Sequence, residues 1–303
     1  MTDELELWLT SPELYEKTYL HLNDHDGSVE MPKRFKNDDR FCFTLVPTSF
    51  IEREINTFSN KNPESILILF DDCYHNVRHF STQGMKTIWF NPGGKLVEDD
   101  LPRHDGEIQS LDDVVKIFSL LHNPSLAQCR AWLDAWAVPD NVRRHSSVVA
   151  RSAYILAVKM RNSGIAVDPI LAHRAGLLHD IDKIDTLNKT SAHGNVGANF
   201  FIEHGFPEIA KIVREHIMST ILDPDAADRG WENKLVFFCD KLVEGDQLVT
   251  FDQRLAALRL RYPEYMAAMQ RAEKPIWDLS DEICEILGLS SHEDLIEMLR
   301  AVL

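Results

Sequence analysis

Long apolar runs are missing from this sequence. No stretch approaches the roughly 18 apolar residues that a membrane-spanning helix needs, and the chain opens on the acidic segment MTDELELWLT, without the basic stretch that begins a secretory signal. We therefore expect a cytoplasmic protein that does not enter a membrane.

Cysteine is scarce, and no two cysteines form a CxxC pair. An odd, scattered set is typical of reduced thiols, and it indicates neither a disulfide framework nor a thiolate zinc site. The five cysteines are Cys42, Cys73, Cys129, Cys239 and Cys284.

Basic residues are outnumbered, since 32 Lys and Arg face 48 Asp and Glu and leave a formal charge of −16. A field of this sign repels the backbone of a nucleic acid, whose binding depends on neutralised phosphates. We expect no nucleic-acid partner, whereas a small phosphorylated substrate at a local metal site is compatible with this charge.

The 303 residues suffice for two domains, which we place at residues 1–120 and 121–303. In the first domain, the β-rich run at 41–46, the apolar run at 65–70 and the run KTIWF predict strands, and FIEREINTFSN predicts a helix. Continuous apolar strands separated by helices are typical of a covered parallel sheet. We expect a small Rossmann-like α/β domain.

The sequence pattern changes near Pro124, at the start of the second domain, from strand-like runs to helical spacing. From there to Leu303 no segment predicts a strand, and apolar residues recur at helical spacing, including through NKLVFFCDKLVEGDQLV. We expect an all-α domain, and hence an α+β chain overall.

The dipeptide His-Asp occurs three times. His25-Asp26 and His104-Asp105 have turn-like surroundings, where a solvated polar pair is the simplest interpretation. His179-Asp180 instead ends the apolar helix AGLLHDIDK, where buried polar groups need partners. The third pair is the candidate for a site.

His145 and Asp240 are the candidate partners of that pair, because each interrupts an apolar helical face. A single buried histidine is more often a satisfied core residue, but four such residues together favour a metal site. Imidazole and carboxylate ligands suit iron, manganese or zinc more than calcium. Neighbouring residues on a helix point about 100° apart, so His179 and Asp180 can face one ion only if the helix ends there.

The order His145, His179-Asp180, Asp240 on helices resembles the HD superfamily of metal-dependent phosphohydrolases, over residues 124–262. The segments that carry the resemblance are VRRHSSVVARSA, AGLLHDIDK, SAHGNVGANFF, IVREHI and CDKLVEGDQLVTFDQRL. His193 and His216 stand where dinuclear members carry extra ligands; otherwise His193 is an ordinary residue at a helix start and His216 an exposed side chain. His173 and His204 fit surface or packing positions.

The resemblance implies the chemistry of the site. Two cations bridged by Asp180 would activate a water and neutralise phosphoryl charge, which makes Asp180 and Lys183 the catalytic candidates. Lys183, Lys241 and Arg254 are candidate substrate contacts, although each also fits a solvated surface cation. The implied cofactors are two divalent ions per chain: iron, manganese, zinc, magnesium or nickel.

The segment SILILFDDCYHNVRHFSTQGMKTIWFNPGGK resembles the closing part of a haloacid-dehalogenase-like domain, with Asp71 and Asp72 as its acidic pair and Thr48 or Ser49 as its phosphate-binding hydroxyl. That family needs a nucleophilic aspartate after its first strand. The nearest candidates are Asp24 and Asp26, but YEKTYLHLN before them looks helical. We expect a reduced, inactive domain that serves contacts or regulation.

Two functions of different class remain. The first is a phosphohydrolase, namely a phosphomonoesterase, nucleotidase or nucleoside polyphosphate hydrolase, with cyclic dinucleotides as a rival substrate class. The second is a non-enzymatic, metal-stabilised module that binds a nucleotide. Either is compatible with a homo-oligomer, and a fragment beginning near residue 122 should retain turnover if the enzyme hypothesis holds.

Overall fold

The structure is a computed structural model that describes residues 18–22, 41–45, 67–83, 85–97, 102–110, 113, 122–186 and 193–303. It divides into two compact units. Unit 1 comprises Met1–Gly93 and Arg103–Leu121, and unit 2 comprises Gly94–Pro102 and His122–Leu303. Among the described residues, no helix has the length and apolarity needed to cross a bilayer.

Unit 1 contains a five-stranded sheet in which every neighbouring pair is parallel, in the order β2-β1-β3-β4-β5. The predicted strands at 41–46, 65–70 and 86–90 are present in it. The predicted helix FIEREINTFSN, and Asp24, Asp26, Thr48 and Ser49, lie outside the described residues. The elements are β1 (Thr18–Leu22), β2 (Phe41–Leu45), β3 (Leu67–Asp71), α1 (Tyr74–Thr82), β4 (Lys86–Phe90) and β5 (Gly106–Ile108).

The strand β1 corrects one expectation. The polar segment YEKTYLHLN looks helical, yet it contains a strand that pairs with β2 on one side and β3 on the other, with Tyr19 opposite both Cys42 and Leu67. The residues TYLHL are rich in β-branched, aromatic and branched apolar side chains, and strand pairing on both edges outweighs the polar flanks.

Asp71 closes the turn between β3 and α1. Its carboxylate is buried and accepts hydrogen bonds from the backbone N–H of Cys73, at 2.7 Å, and from the side-chain amide of Asn76, at 3.0 Å. Both oxygens therefore serve the start of α1, where backbone N–H groups need acceptors. Asp72 is exposed.

The pair His104-Asp105 also departs from expectation, because both side chains are buried instead of solvated. His104 Nε2 lies 3.2 Å from Glu107 Oε2, and Asp105 Oδ2 accepts from the backbone N–H of Thr87 at 2.9 Å. The pair precedes β5, and the His104 ring packs against Tyr74 and Trp89, contacts that the turn-like local sequence does not reveal.

In its described residues, unit 2 consists of helices, their connecting turns and one short hairpin. Helix α3 is its centre, and its residues from Val149 to Val158 are almost wholly buried against α4 and α7. The elements are α2 (Leu126–Ala135), α3 (Asp140–Asn162), α4 (Pro169–Leu178), α5 (Asn195–Glu203), α6 (Pro207–Glu215), α7 (Trp231–Asp240), β6 (Val243–Glu244), β7 (Gln247–Leu248), α8 (Phe251–Arg261), α9 (Met266–Leu287) and α10 (His292–Arg300).

Helices α3 and α4 approach closely at Gly176. A Cβ atom there would lie 2.7 Å from the Cα of Ala150, which is backbone and cannot rotate away. Asp168 caps the start of α4, and its side chain accepts from the N–H groups of Ile170 and Leu171. These features fix α4 against the central helix and so fix the point at which α4 ends.

The periodicity of the segment NKLVFFCDKLVEGDQLV predicts one continuous helix, and this prediction is wrong. Helix α7 stops at Asp240, and Val243–Glu244 pairs with Gln247–Leu248 in an antiparallel hairpin. Gly245 sits in the turn with φ of +61°, a conformation that glycine adopts without a steric penalty. The glycine turn therefore overrides the apolar spacing.

Candidate metal centre

The predicted ligands lie at or near helix ends. His179 directly follows α4, His216 directly follows α6, and Asp240 is the last residue of α7. The carboxyl end of a helix carries partial negative charge, so three such ends favour a cation. Since α4 ends at Leu178, His179 and Asp180 both turn towards one point, with His179 Nε2 3.5 Å from Asp180 Oδ2.

One group of ligand atoms comprises His145, His179 and Asp240, all buried. His145 Nε2 lies 3.0 Å from Asp240 Oδ1, and His179 Nε2 lies 3.7 Å from the same oxygen. The ligand atoms of the group lie within 4.8 Å of one another, close enough to surround one ion.

A second group comprises His179, Asp180 and His216. Asp180 Oδ1 faces His216 Nε2 at 3.6 Å and His193 Nε2 at 3.2 Å. Its other oxygen, Oδ2, faces His145 at 3.9 Å and His179 at 3.5 Å. The two oxygens of Asp180 therefore face two different pairs of histidines.

Each of the four histidines turns Nδ1 away from this centre and bonds it elsewhere. Nδ1 of His145, His179 and His216 lies at 2.9, 2.7 and 2.6 Å from the carbonyl oxygens of Gly245, Gly176 and Val213, respectively. His193 Nδ1 lies 2.8 Å from Asp182 Oδ1. A hydrogen bond that Nδ1 donates leaves Nε2 as the free lone pair, which is the usual arrangement around a bound metal.

The fit to a divalent ion is supported by His179. Its Nε2 is buried and has no hydrogen-bond partner among the described residues, although a buried polar atom is costly when nothing pairs with it. Nitrogen and oxygen donors in this ratio suit iron, manganese, zinc or nickel. The described residues can therefore hold divalent metal.

Both carboxylates remain ionised. Burial acts to raise the pKa of Asp180, but Lys183 and His179, with His193 and His216, hold that pKa well below its ordinary value. Burial acts in the same way on Asp240, and Lys241 with His145 and His179 outweighs it, so its pKa is also well below the ordinary value. Two anionic ligands are thus available at neutral pH.

The two histidines beside Asp180 Oδ1 differ in their pKa values. Burial acts to lower the pKa of His193, but hydrogen bonds to Asp180 and Asp182 outweigh it and raise that pKa to about 9. Burial lowers the pKa of His216 to about 4. His216 is therefore ready to donate a lone pair, whereas His193 must release a proton when a cation binds.

Three cations lie beside the carboxylates. Lys183 Nζ is 2.5 Å from Asp180 Oδ2, and its side chain is 37% exposed. Lys241 is 3% exposed and donates to Asp240 Oδ2 at 2.6 Å and to the carbonyl of His216 at 2.8 Å. Arg254 Nη2 lies 3.6 Å from Asp240 Oδ1 while its Nη1 bonds Glu244. This geometry favours substrate contact for Lys183 and an orienting role for Lys241.

Two neighbours of the site were not singled out from the sequence. The Gly245 carbonyl belongs to the hairpin that periodicity misses, and backbone acceptors leave no sequence signal. Asp182 could have been noticed, because it lies two residues after Asp180. Of the histidines expected elsewhere, His173 is buried beside Tyr154, and His204 is exposed at the end of α5.

Comparison with known proteins agrees with this geometry. The family model described as HD domain matches residues 142–244, which include all six predicted ligands. An uncharacterized protein from Methanocaldococcus jannaschii is 33% identical over 159 residues, which cover 49% of this chain and 90% of that relative. No solved structure matches. The chain belongs to the HD-domain family of metal-dependent phosphohydrolases.

Proposed function

We propose that this chain hydrolyses a phosphate ester or anhydride of a nucleotide or similar small molecule at a dinuclear metal centre. The observation that carries the proposal is the orientation of Asp180. Its Oδ2 faces His145 and His179, while its Oδ1 faces His193 and His216. A carboxylate placed in this way can bridge two ions.

In this proposal, the six predicted residues divide between two ions. His145, His179 and Asp240 would hold the first, His193 and His216 would hold the second, and Asp180 would contribute to both. When bound, two divalent ions supply hydroxide near neutral pH and neutralise charge on phosphoryl oxygens. The second ion relies on fewer protein ligands and should bind more weakly.

The chain's own cations bind and orient. Lys183 is partly exposed and is the cation nearest Asp180, and as a flexible point charge it can move from that carboxylate to a phosphoryl oxygen. Lys241 is fixed between Asp240 and the His216 carbonyl, so it holds the carboxylate in place. Arg254 is held by Glu244 and extends the positive charge beside Asp240.

The substrate class follows from size and charge. A chain with a net charge of −16 disfavours a nucleic-acid backbone, whereas a small phosphate can be neutralised locally by the ions and by Lys183. We place nucleotides and nucleoside polyphosphates before cyclic dinucleotides because no glycine-tyrosine-proline signature follows the His179-Asp180 pair.

For unit 1, we infer a reduced haloacid-dehalogenase-like domain without activity of its own. The parallel sheet supports a domain of the α/β class. The use of both Asp71 oxygens at the start of α1 supports a structural role for that residue in place of a magnesium ligand.

The test combines metal analysis with a substrate panel. Metal-free protein is reloaded separately with iron, manganese, zinc, magnesium and nickel, and then assayed on nucleotides, dinucleoside polyphosphates and cyclic dinucleotides. We expect two ions per chain at saturation and turnover with at least one nucleotide. Saturable nucleotide binding without turnover under every metal would instead support the non-enzymatic module.

Variants of the second ion's ligands sharpen this test. His193→Ala and His216→Ala should each lower the metal content from two towards one, and turnover should fall by about 100-fold or more because one ion cannot perform both tasks. His204→Ala, which changes an exposed histidine directly after α5, is the matched control. A saturating value of one in the wild type, unchanged in both variants, would reduce the site to a single ion.

A further inference from the structure

Asp182 is wholly buried beside the metal centre, where its carboxylate faces His193. Its Oδ1 accepts from His193 Nδ1 at 2.8 Å and from the backbone N–H of Gly194 at 3.2 Å. Its Oδ2 accepts from the backbone N–H of Gly197 at 2.8 Å. One carboxylate thus serves a candidate ligand and the start of a helix.

The start of α5 has no capping side chain of its own, because Gly194 occupies the N-cap position. Helix starts leave backbone N–H groups without partners, and Asp182 supplies the acceptor from 12 and 15 residues away. A Cβ atom on Gly197 would lie 2.9 Å from Ile181 Cγ2 and 3.2 Å from Val213 Cγ1. The glycine allows the first turn of α5 to reach the carboxylate.

His193 differs from the other three histidines in the partner that its Nδ1 atom bonds. His145, His179 and His216 bond to backbone carbonyls, which no side-chain substitution removes. His193 bonds through Nδ1 to the Asp182 carboxylate, with Nε2 directed at Asp180 Oδ1, 3.2 Å away. Thr186 Oγ1 also lies near Nδ1 but at 3.4 Å, so the shorter bond to the Asp182 carboxylate is the main support for the tautomer and for the orientation of the ring.

We propose that Asp182 is the positioning residue that aims His193 at the second ion. The proposal rests on the dinuclear site proposed above. A carboxylate behind an imidazole fixes the ring and increases its strength as a ligand, and loss of such a partner typically weakens metal binding by about 10-fold to 100-fold. The first ion, which does not use His193, keeps its affinity.

The experiment titrates metal-free, full-length protein with Mn²⁺ and measures both binding steps by calorimetry, for the wild type and for Asp182→Asn. Asparagine keeps the size of the side chain, but its NH₂ group cannot accept a hydrogen bond, so one of the two acceptors that serve His193 and Gly197 is lost. We expect the dissociation constant of the second ion to rise by about 10-fold to 100-fold and that of the first to stay unchanged. Asp185→Asn, an exposed aspartate of the same segment, is the control.

A second readout separates positioning from helix capping. ¹⁵N NMR of the histidines in metal-loaded wild type should show His193 protonated at Nδ1 and not at Nε2, and Asp182→Asn should mix the two tautomers. His193 protonated at Nε2 in the loaded wild type would overturn the proposal even if the variant failed to fold.

The outcomes distinguish this proposal from the proposed function. Two ions in the wild type with an unchanged second dissociation constant in Asp182→Asn would overturn the role of Asp182 alone. One ion in the wild type would overturn the dinuclear site, and the role of Asp182 with it.

Discussion

At the scale of the residue, His179 is the side chain whose placement is hardest to explain without a cation. It is wholly buried, its Nδ1 bonds the Gly176 carbonyl at 2.7 Å, and within the part of the chain that the structure describes its Nε2 has no hydrogen-bond partner. Two carboxylate oxygens face that nitrogen, since Asp180 Oδ2 and Asp240 Oδ1 lie at 3.5 and 3.7 Å from it. The spacing is too long for hydrogen bonds and leaves room for an ion between them.

His179→Ala and Asp180→Ala should each remove metal binding and lower hydrolysis by at least about 100-fold, because His179 contributes to both ligand groups and Asp180 faces both pairs of histidines. The helices should persist, since α3, α4 and α7 pack through apolar side chains. Metal content, turnover and far-UV circular dichroism are measured on the same samples. Full activity in either variant would refute the site.

At the scale of the element, the sequence shows where the helices lie better than where they stop. Spacing of apolar residues identifies α3, α4 and α7, and the ligand order follows from it. The end of α7 is set by the turn at Gly245, a single residue whose effect a periodicity count does not register. Strand β1 was missed for a related reason, because its pairing partners come from β2 and β3, far along the chain.

The junction of α8, α9 and α10 is held by His292. Its Nε2 accepts from the backbone N–H of Phe251 at 3.3 Å, and its Nδ1 lies 3.0 Å from Ser280 Oγ. Accepting from an N–H requires the neutral ring, and burial lowers the pKa of His292 below its ordinary value of 6.5. The unfolded chain therefore binds this proton more readily than the folded protein.

Stability should follow that difference in pKa. The contribution of neutral His292 is complete above pH 6.5 and is lost as pH falls through 6.5 towards the folded pKa, with a slope of at most about 1.4 kcal/mol per pH unit for one proton. Urea unfolding of the wild type and His292→Gln, from pH 7.5 to 5.5, measures it. The variant should be less stable throughout but should depend less on pH.

The difference between the two proteins isolates His292, because other groups titrate as well. His193, with its pKa raised to about 9, contributes stability that is complete below its unfolded pKa and is lost as pH rises through 9. That contribution is common to both proteins and cancels. Parallel pH profiles for wild type and variant would show that His292 does not titrate differently on folding.

At the scale of the whole molecule, the boundary between the units bears on how they can be tested. The Gly94–Pro102 segment belongs to unit 2, where Arg151 Nη2 donates to the Val97 carbonyl at 3.0 Å and Arg174 Nη1 donates to the Pro102 carbonyl at 3.1 Å. Both arginines are buried. A fragment beginning near residue 122 would remove these two acceptors and destabilise the helices, so it is a poor test of dispensability.

Substitutions in the full chain answer the question of which unit performs the chemistry. Asp24 and Asp26 come two and four residues after the last residue of β1 in sequence. Because β1 is a paired strand, the helix-like composition of YEKTYLHLN no longer argues against a nucleophile after it. Asp71 argues the other way, because its oxygens serve the start of α1. We expect Asp24→Asn and Asp26→Asn to retain hydrolysis within about twofold, since the proposed machinery of unit 2 contains neither residue.

The matched variant is Asp180→Asn, which makes the same chemical change in the HD site and should remove hydrolysis and metal together. All three proteins are assayed on the same nucleotide panel with the same metal, and their folding is compared by thermal unfolding. Loss of turnover in Asp24→Asn, with retention in Asp180→Asn, would place the active site in unit 1. If Asp24→Asn and Asp180→Asn each lost turnover on a different set of substrates, the chain would have two activities, one in each unit.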